Sequence, residues 1–117
     1  MARIVAFIPD LLFGSNVVGA LEASGHDPVL ASSANDLEGL LPGADVLVID
    51  LTDDVGTRIE LVRTAVRDER VSVRTLAFFS HVETDVRTQA LQAGFDLVVP
   101  RSRMARAAGD LVAELLV

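Results

Sequence analysis

Five apolar runs of strand length recur along the chain with amphipathic stretches between them, and this alternation restricts the fold more than any other feature. The runs are RIVAFI (3–8), PVLA (28–31), VLVI (46–49), VRTLAFF (73–79) and LVV (97–99). Each is short and rich in β-branched or other apolar residues, and the central ones carry no internal charge. Strands of that kind belong in a parallel sheet covered on both faces, so the pattern predicts five βα units in one α/β domain spanning residues 1–117.

The stretches between the runs carry helix signals. The first helix is expected from about Asp10 to Ser24, burying Phe13, Val17 and Leu21, with Gly25 as a left-handed stop. A short second helix follows Asn35. The third is expected to open at TRIE, where Thr57 and Glu60 have capping-box spacing. The fourth opens at SHVE, where Ser80 and Glu83 repeat that spacing, and ends at Gly94. Ser102 is the expected cap of the fifth, whose apolar stripe is Met104, Ala108, Leu111 and Leu115.

Composition narrows the function classes. Half of the 117 residues are hydrophobic and 23% are charged, as in a globular core. No apolar segment approaches the roughly 18–20 residues that span a bilayer, and Asp10 interrupts the first run too early for a secretory leader, so a cytoplasmic location is expected. Without cysteine there is no disulfide, thiolate nucleophile or sulfur-ligated metal. All ten basic residues are Arg, a bias in composition rather than a chemical signal. Residues 1–57 hold one Arg against nine acids, and residues 58–117 hold nine Arg against eight acids. An acidic half of this strength repels nucleic acid and anionic lipid, so no nucleic-acid or membrane partner is expected.

The stretch ADVLVIDLTDDVG (44–56) drives an apolar run straight into a carboxylate, Asp50. In open parallel sheets ligands and chemistry gather at the carboxyl ends of the strands, which is where Asp50 falls. An aspartate in that place also serves simply to accept the amides of the next turn, at Thr52 or Asp53. Position alone leaves both roles open.

The chain resembles the receiver domain of two-component response regulators over nearly its whole length. The resemblance is carried by RIVAFIPD, GHDPVLAS, ADVLVIDL and FSHVETDVRTQALQAGFDLVVPRSRM, with ALQAGFD similar to the family's usual ALxAGAD. It implies a flavodoxin-like, three-layer fold with five parallel strands in the order 2-1-3-4-5. It also implies a phosphoacceptor at Asp50 and a metal-holding main-chain carbonyl at Thr52.

Other family positions depart from the pattern. The acidic pair expected at the end of the first strand falls on Ile8 and Pro9, leaving Asp10 one residue late, where capping the helix is the simpler role. The switch hydroxyl falls on Phe79, with Ser80 one place beyond. The expected Lys falls on Arg101, and Pro100 precedes it where the family has Pro after the Lys. Phosphoryl transfer to an aspartate needs neutralisation by a divalent ion, and Mg²⁺ is ordinarily held by carboxylates. With Ile8 and Pro9 in those places, Mg²⁺ binding is expected to be weak and no cofactor is called for; Asp10, Asp53 and Asp54 are the carboxylates from which a rearranged site would have to be built.

The expectation is a stand-alone, non-enzymatic, receiver-like module for signalling through protein interaction, with a degraded phosphorylation site. Asp50 would then be an anchor paired with Arg101 or with turn amides, in a pocket with Asp10, Thr52 and Ser80. The first alternative is a receiver that takes phosphate at Asp50 through a rearranged Mg²⁺ site. The second is a small-molecule-binding flavodoxin-like module, disfavoured because PDLLFGS contains a single glycine and forms no phosphate loop. The expected partner surface, for another protein or a homodimer, is the fourth helix, fifth strand and fifth helix. There Arg87, Arg103 and Arg106 supply charge, Met104 supplies an apolar anchor with Phe95, whose position suits a core residue as well as an exposed anchor, and His81 opens the fourth helix. His26 is expected to be an exposed loop residue.

Overall fold

The computed structural model describes residues 1–80 and 84–117. Strands β1 (Arg3–Phe7), β2 (Asp27–Ala31), β3 (Val46–Asp50), β4 (Arg74–Phe79) and β5 (Leu97–Pro100) alternate with helices α1 (Leu11–Ala23), α2 (Ala34–Leu40), α3 (Val55–Ala65), α4 (Thr84–Gln92) and α5 (Arg101–Leu116). The strands form one parallel sheet in the order β2-β1-β3-β4-β5, the flavodoxin-like order. In the centre Val48 pairs with Ala6 on one side and Leu76 on the other.

The sheet is buried on both faces because its strand residues alternate between two apolar cores. Leu47, Ile49, Ala77 and Phe79 join one core with Leu37, Ile59, Val62, Val86 and Ala90 from α2, α3 and α4. Val46, Val48, Leu76 and Phe78 join the other with Val17, Leu21, Met104, Ala108 and Leu111 from α1 and α5. Every residue of β3 is buried, Asp50 included. A buried Leu or Ile of this kind contributes about 1.5–3 kcal/mol, so the apolar layers hold the carboxyl ends of the strands in fixed register. Among the described residues no helix is long and apolar enough to cross a membrane.

Local chemistry sets the helix ends, in places differently from expectation. Asp10 caps α1 by accepting the Phe13 amide at 3.1 Å, and Gly25 follows the helix with φ 87°. α2 begins before Asn35, because the Ser33 hydroxyl accepts the Asp36 amide at 3.1 Å. α3 begins two residues before Thr57: the Arg58 amide already bonds the Asp54 carbonyl, and Asp54 takes a left-handed turn with φ 47°. Ser102 does not cap α5, since Pro100 occupies the cap position and the helix runs from Arg101. The Ser80–Glu83 cap expected for α4 involves Glu83, which lies outside the described residues; Gly94, with φ 97°, closes that helix as expected. His26 is half-buried rather than exposed, because its Nδ1 accepts the Ala2 amide at 3.1 Å and ties the start of β1 to the turn before β2.

Candidate functional site

β1, β3, β4 and β5 end on the same edge of the sheet, and their last residues, with the first turns of α1, α3 and α5, build the candidate site. Asp50, at 4% exposure, is the buried acid of the molecule's described part, and the contacts of its carboxylate converge on one oxygen, Oδ1. Oδ1 accepts the Thr52 amide at 2.8 Å and the Thr52 hydroxyl in a short bond. Arg58, from the first turn of α3, brings Nη1 to 3.7 Å from the same oxygen and donates to the Asp50 main-chain carbonyl at 2.9 Å. The guanidinium also lies 6.0 Å from the centre of the Phe7 ring, and its side chain is only 12% exposed. Buried carboxylates need such partners, and Asp50 draws those it has from the eight residues that follow β3.

Arg58 was not among the residues expected at this edge, and Arg101 is not the partner of Asp50. Arg101 opens α5 on the α1 side of the sheet, where its Nη2 donates to Asp10 Oδ2 at 3.2 Å and its guanidinium stacks 4.1 Å above the Phe13 ring. Phe13 in turn packs against Phe78 with ring centres 5.2 Å apart. The pairing follows from packing: α1 and α5 share one core, so their first turns meet, whereas α3 is joined to Asp50 by a four-residue turn. The Phe13 amide, and after it the Arg101 guanidinium, hold the Asp10 carboxyl below the usual carboxylate range. A sequence clue to Arg58 existed: it is the nearest cation to Asp50 along the chain, and it lies in the TRIE stretch read only for its cap.

Thr52, Ser80 and Arg101 line a common cleft of about 530 Å³ with Phe13, Ser102 and Ala105. Asp10 adjoins it through Arg101. Asp53 and Asp54 are exposed, and Asp53 spends its Oδ1 on the Asp54 amide at 2.9 Å. Ile8 is 2% exposed and belongs to the α1/α5 core, beside Pro9, whose side chain has no ligand atom to offer. Mg²⁺ takes octahedral oxygen ligation with carboxylate support. With Asp50 bonded to Thr52 and Arg58, and no group of three His, Cys, Asp or Glu residues drawn together among the described residues, the donor set does not fit that ion.

The expected partner surface needs correction at its apolar anchors. Phe95 is 6% exposed and packs in the α2/α3/α4 core, while Met104 is 0% exposed and packs in the other. Neither reaches a partner: Met104 falls on the core-facing stripe of α5, and Phe95 turns inward from the connection between α4 and β5. Arg87, Arg103 and Arg106 are exposed on α4 and α5. Leu91, one turn after Arg87, is 41% exposed and is an apolar side chain that α4 offers on this surface. Asp96 accepts the Thr75 amide at 2.8 Å and hydroxyl at 3.1 Å within its own chain, and Asp110 is an exposed acid of α5. His81 lies outside the described residues.

No family model and no curated protein sequence matches the chain. Solved structures do. A response regulator from Thermotoga maritima aligns with TM-score 0.83 at 15% identity, covering 99% of this chain and 98% of its own. The signal receiver domain of the response regulator NarL from Mycobacterium tuberculosis aligns with TM-score 0.70 at 27% identity, covering 96% of each chain. An atypical orphan response regulator with a phosphorylation-independent regulatory mechanism aligns with TM-score 0.72 at 16% identity, covering 97% of this chain and 91% of its own. TM-scores of 0.70–0.83 over nearly the full length of both chains lead to one conclusion: this chain has the fold of a response-regulator receiver domain.

Proposed function

We propose that the chain is a receiver-like signalling module that works through protein interaction without phosphorylation, and that Asp50 serves it as a structural anchor. The observation that carries this reading is the set of contacts on Asp50 Oδ1, which accepts the Thr52 amide and hydroxyl and faces the Arg58 guanidinium at 3.7 Å. A phosphoacceptor works beside a metal that neutralises the transferring group. The positions where the family's acidic pair is expected are the buried Ile8 and Pro9, which bring no carboxylate, and the Arg58 guanidinium stands near Asp50 Oδ1. A structural neighbour that is itself an atypical, phosphorylation-independent regulator adds support to the reading.

The interaction surface in this proposal is α4–β5–α5, for another protein or a second copy. Arg87, Arg103 and Arg106 present exposed positive charge on a chain of net charge −7, and Leu91 adds an apolar contact. An acidic partner surface complements it, steering approach as much as adding affinity. A cytoplasmic location belongs to the same proposal, since two-component signalling acts there.

The test is a titration with MgCl₂ followed by amide resonances in a ¹H–¹⁵N spectrum. At millimolar Mg²⁺ the Asp50, Leu51 and Thr52 amides are expected to stay in place. A saturable shift of these amides, abolished in Asp50→Asn, overturns the proposal.

A further inference from the structure

The cleft between the first turns of α1 and α5 has the size and the mixed chemistry of a ligand site. Its volume of about 530 Å³ falls within the range of small-molecule pockets, roughly 300–1,000 Å³. One wall is the Phe13 ring, backed by Phe78. Arg101 provides a fixed cation, with Ser80, Ser102 and Thr52 hydroxyls and the Ala105 methyl around it. A guanidinium has five donor hydrogens, and among the described residues Arg101 places one side-chain hydrogen bond, to Asp10. Its side chain is 41% exposed, so further donors face solvent in the cleft.

The local field favours an anion although the whole chain is acidic. No Asp or Glu occurs from Leu97 to Gly109, while Arg101, Arg103 and Arg106 all do. The site already holds one carboxylate, that of Asp10, so its geometry accepts that group.

We propose that this cleft binds a small organic carboxylate with a flat apolar body, anchored by Arg101 and stacked beside Phe13, with Asp10 as a built-in competitor for the guanidinium. The ligand's carboxylate forms the guanidinium bonds that Asp10 makes in its absence, and its apolar body excludes water from the Phe13 wall. Displacing Asp10 from Arg101 leaves α1 capped, because the cap uses Oδ1 and the ion pair uses Oδ2. This deepens the reading of a phosphate-independent module by naming what its upper edge responds to. Its failure is distinguishable from that of the reading, because the Mg²⁺ titration is scored at Asp50 and ligand binding at Arg101.

The experiment is a ¹H–¹⁵N titration of the full chain with 2-naphthoate as probe, beside acetate and 2-naphthalenemethanol, which carry the charge and the ring separately. Saturable shifts at Phe13, Ser80, Arg101 and Ser102 are expected with naphthoate, and binding weaker by at least about tenfold with either control, the loss of one charge-assisted contact or of the ring's burial. Arg101→Gln is expected to weaken naphthoate about tenfold or more. Asp10→Asn, which keeps an equally good helix cap, is expected to strengthen it about two- to fivefold, the worth of an exposed ion pair. The proposal is overturned by absence of saturable shifts in the wild type, by equal binding of either control, by an Arg101→Gln variant that binds as well as wild type, or by an Asp10→Asn variant that does not bind more tightly.

Discussion

Replacing Arg58 with Met removes the cation from Asp50 while keeping most of the apolar stem that crosses Phe7. Breaking a fully buried ion pair by deleting one partner costs about 3–5 kcal/mol. The loss here is smaller for two reasons: Asp50 retains both bonds from Thr52, and the 3.7 Å separation from Nη1 is an electrostatic contact without a hydrogen bond. What is lost outright is the 2.9 Å donation to the Asp50 carbonyl. A hydrogen bond from a charged donor contributes roughly 1.5–3 kcal/mol, so Arg58→Met is expected to cost about 2–3 kcal/mol. For a chain of 117 residues, with an unfolding entropy of roughly 2.1 cal/mol/K per residue, that lowers Tm by about 8–12 °C. Far-UV circular dichroism in urea and on heating at pH 7 measures it, with an unchanged m value marking a change in stability alone. A double-mutant cycle with Asp50→Asn should give a coupling of about 1 kcal/mol. A cost below about 0.5 kcal/mol, the range of ordinary surface substitutions, together with zero coupling, refutes the role given to Arg58.

Acid sensitivity follows from three carboxyls. Asp10 is held low by the Phe13 amide and then by Arg101, Asp36 by the Ser32 hydroxyl and amide, and Asp68, down to about 2, by Arg70. A depressed folded value stabilises fully above the unfolded value near 3.9 and is lost as pH falls through the folded one, so Tm should drop between about pH 4 and pH 2. Asp68→Asn should flatten the lower part of that fall, and an unchanged pH profile of Tm speaks against the Asp68–Arg70 contact. Reversing charge at Arg87 and Arg106 together should abolish association through α4–β5–α5. Light scattering that finds a monomer in both wild type and variant removes the dimer, and unchanged partner capture removes the docking surface.

The layout of the fold was legible because it is written in local periodicity. Runs such as VLVI and RTLAFF bury both faces of their strands, and Gly25 and Gly94 adopt the left-handed turns their positions call for. The helix starts were less legible: Thr57 and Ser102 have cap-like chemistry, but the chain enters α3 through a left-handed Asp54 and α5 through Pro100. At the site, the position of Asp50 and its Thr52 turn were readable, since both depend on residues two apart. Its cation was not. Whether Arg58 or Arg101 reaches Asp50 depends on which helices share a core, and α1 pairs with α5 to draw Arg101 toward Asp10 and Phe13. The same ambiguity misplaced Met104 and Phe95, whose side chains fit an interface and a core equally well by composition, and which packing puts inside.

The claim at the centre of this account is that Asp50 holds the fold and does not receive phosphate. Intact-mass spectrometry of the full chain after incubation with acetyl phosphate and millimolar MgCl₂ tests it directly, with Asp50→Asn treated in parallel. The account predicts that wild type and variant both keep their unmodified mass. A mass gain of one phosphoryl group in the wild type that is lost in Asp50→Asn contradicts it.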